Sequence, residues 1–251
     1  MNESSRGVCL VVGTGIGVGG EIAKAFAADG YTVCMTRRAR NLDQLEELAD
    51  EIRAAGGQAH AFGIDARDED EVIALFKTIE QDIGPLEVVV FNIGANVQFK
   101  VEETTAQVFR KVWEMATYAG FLAGREAARH MLPRGRGSII FTGASSSVRG
   151  AAHLTAFTSA KFALRAVAES MAKELGPQGI HVGHVVIDGA MDGVFIRQMV
   201  PNHKELIADD RIMKPAEVAQ NYVWLHNQPR SVWTFELDLR PWAQNWWAVG
   251  F

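Results

Sequence analysis

Gly13, Gly15, Gly17, Gly19 and Gly20 crowd into eight residues, directly after the apolar run 8–12 and before the helical stretch 21–28. Glycines at such a place let a chain turn tightly and let its backbone approach a pyrophosphate. The helix that follows offers free amides and the positive end of its dipole. The spacing is Gly-x-x-x-Gly-x-Gly at positions 13, 17 and 19, with Gly15 and Ile16 inside the turn. Set between a first strand and a first helix, it points to a dinucleotide rather than to a mere flexible turn. Met35-Thr36-Arg37-Arg38 then brings two guanidinium groups and no carboxylate to the end of the second apolar run. Arginines bind phosphate through charge-assisted, often bidentate hydrogen bonds. Further along, Ser145, Ser146 and Ser147 offer hydroxyls, Tyr118 a phenol, Lys161 an amine and His153 an imidazole. Imidazole titrates near neutral pH and so suits acid–base work. No metal is expected, because His181 and His184 sit at odd spacing on one strand and the other histidines form no recognisable ligand set.

These groups need a frame to hold them. Short apolar runs at 8–12, 32–35, 59–63, 88–92, 138–142, 181–187 and 235–239 read as strands. They are rich in Val and Ile and apolar on both faces, as strands covered by helices on each side should be. Leu42, Leu45, Leu48, Ala49 and Ile52 share one helical face, as do Val72, Leu75, Phe76 and Ile79. Longer helical stretches run over 106–131 and over 156–175, the second stopped by Gly176-Pro177. Such β–α alternation predicts an α/β protein: a Rossmann-type doubly wound sheet of seven mostly parallel strands flanked by helices, in a single domain over 1–251. One extended irregular stretch, 188–213, is placed late enough to cover a site as a lid.

The ordered set of motifs resembles the short-chain dehydrogenase/reductase family over essentially the whole chain. The set comprises the glycine turn, Asp65 after the third strand, Asn92-Ile93-Gly94 after the fourth, and Lys161 in the later helix. The resemblance implies a nicotinamide cofactor and assigns parts of its site. Asp65 and Ala66 would meet the adenine, with a helix cap near Asp68 as the alternative for Asp65. Asn92 and Gly94 would form the wall beside the adenosine ribose, Lys161 would hold the nicotinamide ribose, and Gly189 and Met191 would flank the cofactor. NAD-preferring members usually carry an acidic side chain where Arg37 and Arg38 stand, so NADP(H) is expected over NAD(H).

The same resemblance makes the reacting end unusual. The family's Tyr-x-x-x-Lys reads Phe157-Thr158-Ser159-Ala160-Lys161, and a benzyl side chain has no proton to give. The carbonyl-polarising serine falls at Ala144, with Ser145 or Ser146 as the nearest substitute, and the relay asparagine falls at Thr117. His153, four residues before Phe157, and Tyr118 are substitute proton donors, with structural roles as the alternative for each. The family position for substrate lies between 96–99, 146–154 and 191–213, where Val97, Phe99, Phe195, Ile196 and Met199 suit a small hydrophobic molecule. Two functions remain open: an NADP(H)-dependent oxidoreductase, or an NADP(H)-binding protein without turnover that acts as a sensor or oligomer partner. A homotetramer is implied, built on the helices 106–131 and 156–175 and the last strand. The aromatic tail 241–251 fits an oligomer contact, a flap or intramolecular packing.

Composition narrows the partners. Of 251 residues 48% are hydrophobic and 22% charged, with a formal net charge of -5, which gives no overall attraction to nucleic acid or anionic lipid. The two cysteines, Cys9 and Cys34, lie in apolar runs and read as core residues. No targeting segment or membrane-length apolar run is present, so a soluble cytoplasmic protein is expected.

Overall fold

Seven parallel strands pair in the order β3-β2-β1-β4-β5-β6-β7. They are β1 (Val8–Val12), β2 (Thr32–Arg37), β3 (Gln58–Gly63), β4 (Leu86–Phe91), β5 (Gly137–Thr142), β6 (Ile180–Ile187) and β7 (Glu236–Leu239). The computed structural model describes residues 6–243, without the side chain of Phe195. The tail beyond residue 243 therefore lies outside the described residues.

Alternation of side chains along the strands divides the core into two layers. On one face Val8, Leu10 and Val12 pack with Phe76, Leu122 and Leu164; on the other Cys9 and Val11 pack with Ile22, Phe26 and Tyr222. The first layer is closed by α3 (Glu69–Thr78), α5 (Ala119–Met131) and α6 (Thr155–Leu175). The second is closed by α1 (Val18–Ala28), α2 (Leu42–Ala54) and α9 (Pro215–His226). Each buried Val, Leu, Ile or Phe side chain contributes roughly 1.5–3 kcal/mol, which is why both-face apolar runs settle in the middle of such a sheet.

Local chemistry sets the helix ends. The Asp68 carboxylate accepts from the amide of Glu71 at the start of α3. The Thr105 hydroxyl likewise accepts from that of Val108 at the start of α4 (Ala106–Trp113), each pairing an amide that helix geometry leaves free. The stretch expected as one helix over 106–131 is α4 and α5 joined by a wider, π-helical turn at Glu114–Tyr118. One extra residue in that turn re-aims the side chains after it. The stretch expected as irregular, 188–213, contains two short helices, α7 (Val194–Met199) and α8 (His203–Ala208). No helix among the described residues is long and apolar enough to cross a membrane.

The sheet's carboxyl edge, reached from β1, β2, β4, β5 and β6, is where the glycine turn, Arg37, Asn92, Ala144 and Asp188 all emerge. Ligands of open α/β sheets bind outside that edge, where the strand order reverses. Here the reversal falls between β1 and β4.

Candidate active site

Gly13 leaves β1 with φ +89, and a Cβ there would come within 2.7 Å of Ile93 Cγ1. Gly19, in the first turn of α1, is held as closely: its Cβ would meet Asn92 Nδ2 at 2.7 Å. The Asn92 amide in turn donates to the Gly13 carbonyl at 3.1 Å, tying the end of β4 to the turn. Gly15 and Gly17 have open space where a side chain would stand, at the amino end of α1. Ile16 between them is exposed. This bare backbone at a helix N-terminus fits a pyrophosphate.

Beside the turn lies a cavity of about 360 Å3, lined by Arg37, Arg38, Arg40, Asp65, Ala66 and Arg67, among others. Arg37 donates to Gln44 Oε1 at 2.7 Å, and Arg38 donates to the sulfur of Met115 at 3.4 Å. The Asp65 carboxylate accepts from Arg67 Nη2 at 2.5 Å and from its Nε at 3.0 Å. Hydrogen bonding from that guanidinium holds the Asp65 carboxyl down to about 2. One carboxylate thus faces four guanidinium groups, and it is already matched. Arg67 was not singled out in the sequence; its signal was a cation two residues after Asp65. The capping alternative for Asp65 falls to Asp68 itself.

A second cavity, of about 500 Å3, adjoins the first across the shared wall of Asn92 and Gly94. Lys161 lines it although only 2% of the residue is exposed. Its Nζ donates to the carbonyls of Ile93 (3.1 Å) and Thr142 (2.9 Å), and burial pushes its pKa down to about 8. The Phe157 ring centroid stands 5.9 Å from that nitrogen, one turn earlier on α6. Ala144, Ser145, Ser146, Gly189 and Met191 line the same cavity. Ser147 is buried, and its hydroxyl accepts from the Ala144 amide at 3.1 Å, which shapes the loop carrying Ser145 and Ser146. Thr117, buried in the π-helical turn, donates to the Ala160 carbonyl at 2.8 Å and so fixes α6 one residue before Lys161.

The substitute donors lie elsewhere. His153 is exposed, sits in the left-handed region at φ +65 and does not line the cavity; its carbonyl accepts from the Phe99 amide. The Tyr118 ring stacks on Trp113 at 6.4 Å and packs against the core on one face of the sheet, away from the cavity. Ile196 lines the cavity, as do Leu154, Met191 and Val194. Val97 packs instead against the cluster of Val112, Ala116, Ala156 and Ala160, while Phe99 and Met199 are exposed.

Asp188, directly after β6, belongs to none of the sequence motifs. It is 1% exposed, lines the cavity floor and pairs with Arg149, from the loop after β5, and with Arg240 Nη2 at 3.0 Å. Its signal in the sequence is an acidic residue placed directly after a strand.

Residues 7–202 match the family model described as short chain dehydrogenase. The chain belongs to the short-chain dehydrogenase family. It is 29% identical over 201 residues to the gluconate 5-dehydrogenase of Gluconobacter oxydans, spanning 80% of this chain and 75% of that protein. Among solved structures, a short-chain dehydrogenase from Rhodopseudomonas palustris is 48% identical with a TM-score of 0.80, covering 94% of this chain and 98% of that one. An alcohol dehydrogenase from Thermococcus sibiricus, complexed with 5-hydroxy-NADP, is 25% identical with a TM-score of 0.82 and covers 95% and 97%. Family members are oxidoreductases that work with nicotinamide cofactors, and the two adjoining cavities here have the layout such a cofactor needs.

Proposed function

We propose that this short-chain dehydrogenase is an NADP(H)-dependent reductase of small, hydrophobic substrates whose reduction needs no phenolic proton donor. The observation that carries this reading is Phe157: its ring stands beside Lys161 in the cavity, where the family's tyrosine would offer a hydroxyl. When bound, the nicotinamide cofactor supplies hydride. The chain's own contribution is to bind and orient. The open backbone at Gly15 and Gly17 would receive the pyrophosphate, Arg37 and Arg38 the 2′-phosphate, and the remaining donor of Lys161 the nicotinamide ribose. An iminium carbon already carries the positive charge that a protonated carbonyl would gain, so its reduction depends mainly on positioning. An activated alkene that takes its proton from solvent is a second such class. The apolar side chains of Leu154, Phe157, Met191, Val194 and Ile196 suit either.

The test is NADPH consumption, followed by absorbance, across iminium, activated-alkene and simple ketone substrates. Turnover of the first two classes with ketones left nearly untouched is the expected pattern. No turnover by a protein that binds NADPH tightly would replace this reading with a binding protein.

Cofactor choice gives a separate expectation. NADPH should bind at least about tenfold more tightly than NADH, or about 1.4 kcal/mol, and Arg37→Ala/Arg38→Ala should erase the difference in calorimetry. Equal affinities in the wild type would remove the 2′-phosphate from these arginines.

Assembly is the third part of the proposal. Phe109 and Trp113 on α4, Phe121 on α5 and Phe162 on α6 are exposed aromatic side chains on the helices through which the family forms its tetramers. Light scattering at micromolar concentration should therefore report a homotetramer, and a clean monomer would refute it. The free buried thiols of Cys9 and Cys34 suit a reducing cytoplasm.

A further inference from the structure

We propose that the Lys161 amine is a covalent capture site for small apolar aldehydes, which it condenses with as an imine while the cofactor is absent. This goes beyond the hydride chemistry above and rests on it only for what would shield the amine.

The geometry around Nζ sets up the nucleophile. Its two protein partners are backbone carbonyls, those of Ile93 at 3.1 Å and Thr142 at 2.9 Å. A neutral amine can satisfy both with its two N–H groups. Its lone pair then takes the remaining tetrahedral direction, and Lys161 lines the 500 Å3 cavity from which an aldehyde would approach. A tyrosine at 157 would place a phenol, or its anion, beside the ammonium. Phe157 gives only a ring face, 5.9 Å away at its centroid.

Two titratable groups face this region from β6. The His184 imidazole is fully buried, bonded to Glu236 at 3.0 Å and kept neutral by burial, which lowers its pKa to about 4. Asp188 lines the same cavity, but its charge is matched by Arg149 and Arg240. Neither offers the ammonium a free counter-charge, so burial prevails and holds the amine down to about 8. At pH 8 a far larger share of it is neutral than the roughly 0.4% of an ordinary exposed lysine.

The step balances within the site. The amine lone pair attacks the aldehyde carbon, and the carbonyl pair moves to oxygen, which takes one N–H proton. The Ser145 or Ser146 hydroxyl, both lining the cavity, can carry it. Loss of that oxygen as water, with the second N–H proton, leaves the carbon–nitrogen double bond. No oxidant or reductant is consumed. Leu154, Phe157, Ile187, Met191, Val194 and Ile196 give an aryl or alkyl group its apolar surroundings.

The experiment uses the cofactor-free full chain with benzaldehyde at pH 8, borohydride to fix any imine, and peptide mapping by mass spectrometry. One benzyl adduct is expected on the peptide bearing Lys161, in at least about tenfold excess over exposed lysines such as Lys77 and Lys173. Lys161→Arg keeps the charge, cannot condense, and should lose that adduct while circular dichroism matches the wild type. If that variant misfolds, the wild-type map alone decides. Adducts spread over the exposed lysines without excess at Lys161 would overturn the proposal. Saturating NADPH separates it from the cofactor reading. Protection supports both, whereas undiminished labelling at Lys161 keeps the amine site and removes the ribose from it.

Discussion

Phe157→Tyr combined with Ala144→Ser should turn a protein that hardly touches simple ketones into one that reduces them measurably, by at least about 10²-fold over wild type. A positioned general acid contributes roughly 10²–10⁴ in rate, or about 3–5 kcal/mol of barrier. A donor to the developing oxyanion adds on the order of 10²–10³. The two are not additive when they act as one unit. Room for the new hydroxyls exists, because both positions border the 500 Å3 cavity, and Lys161 already waits on the same helix as residue 157. NADPH affinity should be unchanged in the double variant, since neither substitution removes a cofactor contact. Lys161→Ala should weaken cofactor binding in both backgrounds. The measurement is initial rate of NADPH oxidation with a small ketone that the cavity admits. Vigorous ketone reduction by the wild type would sink the idea of a site short of a proton donor. Neither His153 nor Tyr118 lines that cavity.

Asp188→Asn should lower stability by about 1.5–3 kcal/mol, because it removes the buried carboxylate to which two half-buried guanidinium groups bond, of which, among the described residues, Arg240 alone keeps a second partner in Asp238. For a chain of this size each kcal/mol moves the melting temperature by roughly 2–4 °C, so a drop of about 6 °C is expected. The carboxylate is 1% exposed, and its partners come from two other elements, the loop after β5 and the end of β7. Combining it with Arg149→Met should cost less than the sum of the two single changes, the mark of groups in direct contact. A melting temperature within two degrees or so of wild type would mean the charges are screened by water and contribute little.

The frame was legible because its determinants are local or periodic. Short apolar runs place the strands, and the fivefold glycine turn marks the place where β1 meets α1. Phe157 and Lys161 could be paired in advance, since four residues on a helix lie on one face. What escaped notice depends on distant chain segments. Asp188 has meaning only beside Arg149 and Arg240, and a salt bridge leaves no periodic trace. The left-handed backbone at His153, which sits outside the cavity, is imposed by a turn that no short pattern announces. The helices α7 and α8 are six residues each, too short to show a 3.6-residue rhythm above the noise. The π-helical turn at Glu114–Tyr118 adds a single residue, which a count of apolar spacing absorbs without a break.

The wall of Asn92 and Gly94 common to both cavities has a practical reading for anyone wishing to retarget this protein. A library that varies this wall would change the fit of cofactor and substrate together, and selection could not tell one loss from the other. Leu154, Val194 and Ile196 border the second cavity alone. Randomising those three leaves the first cavity and the shared wall untouched, so a gain recovered from such a library reports on the second cavity alone.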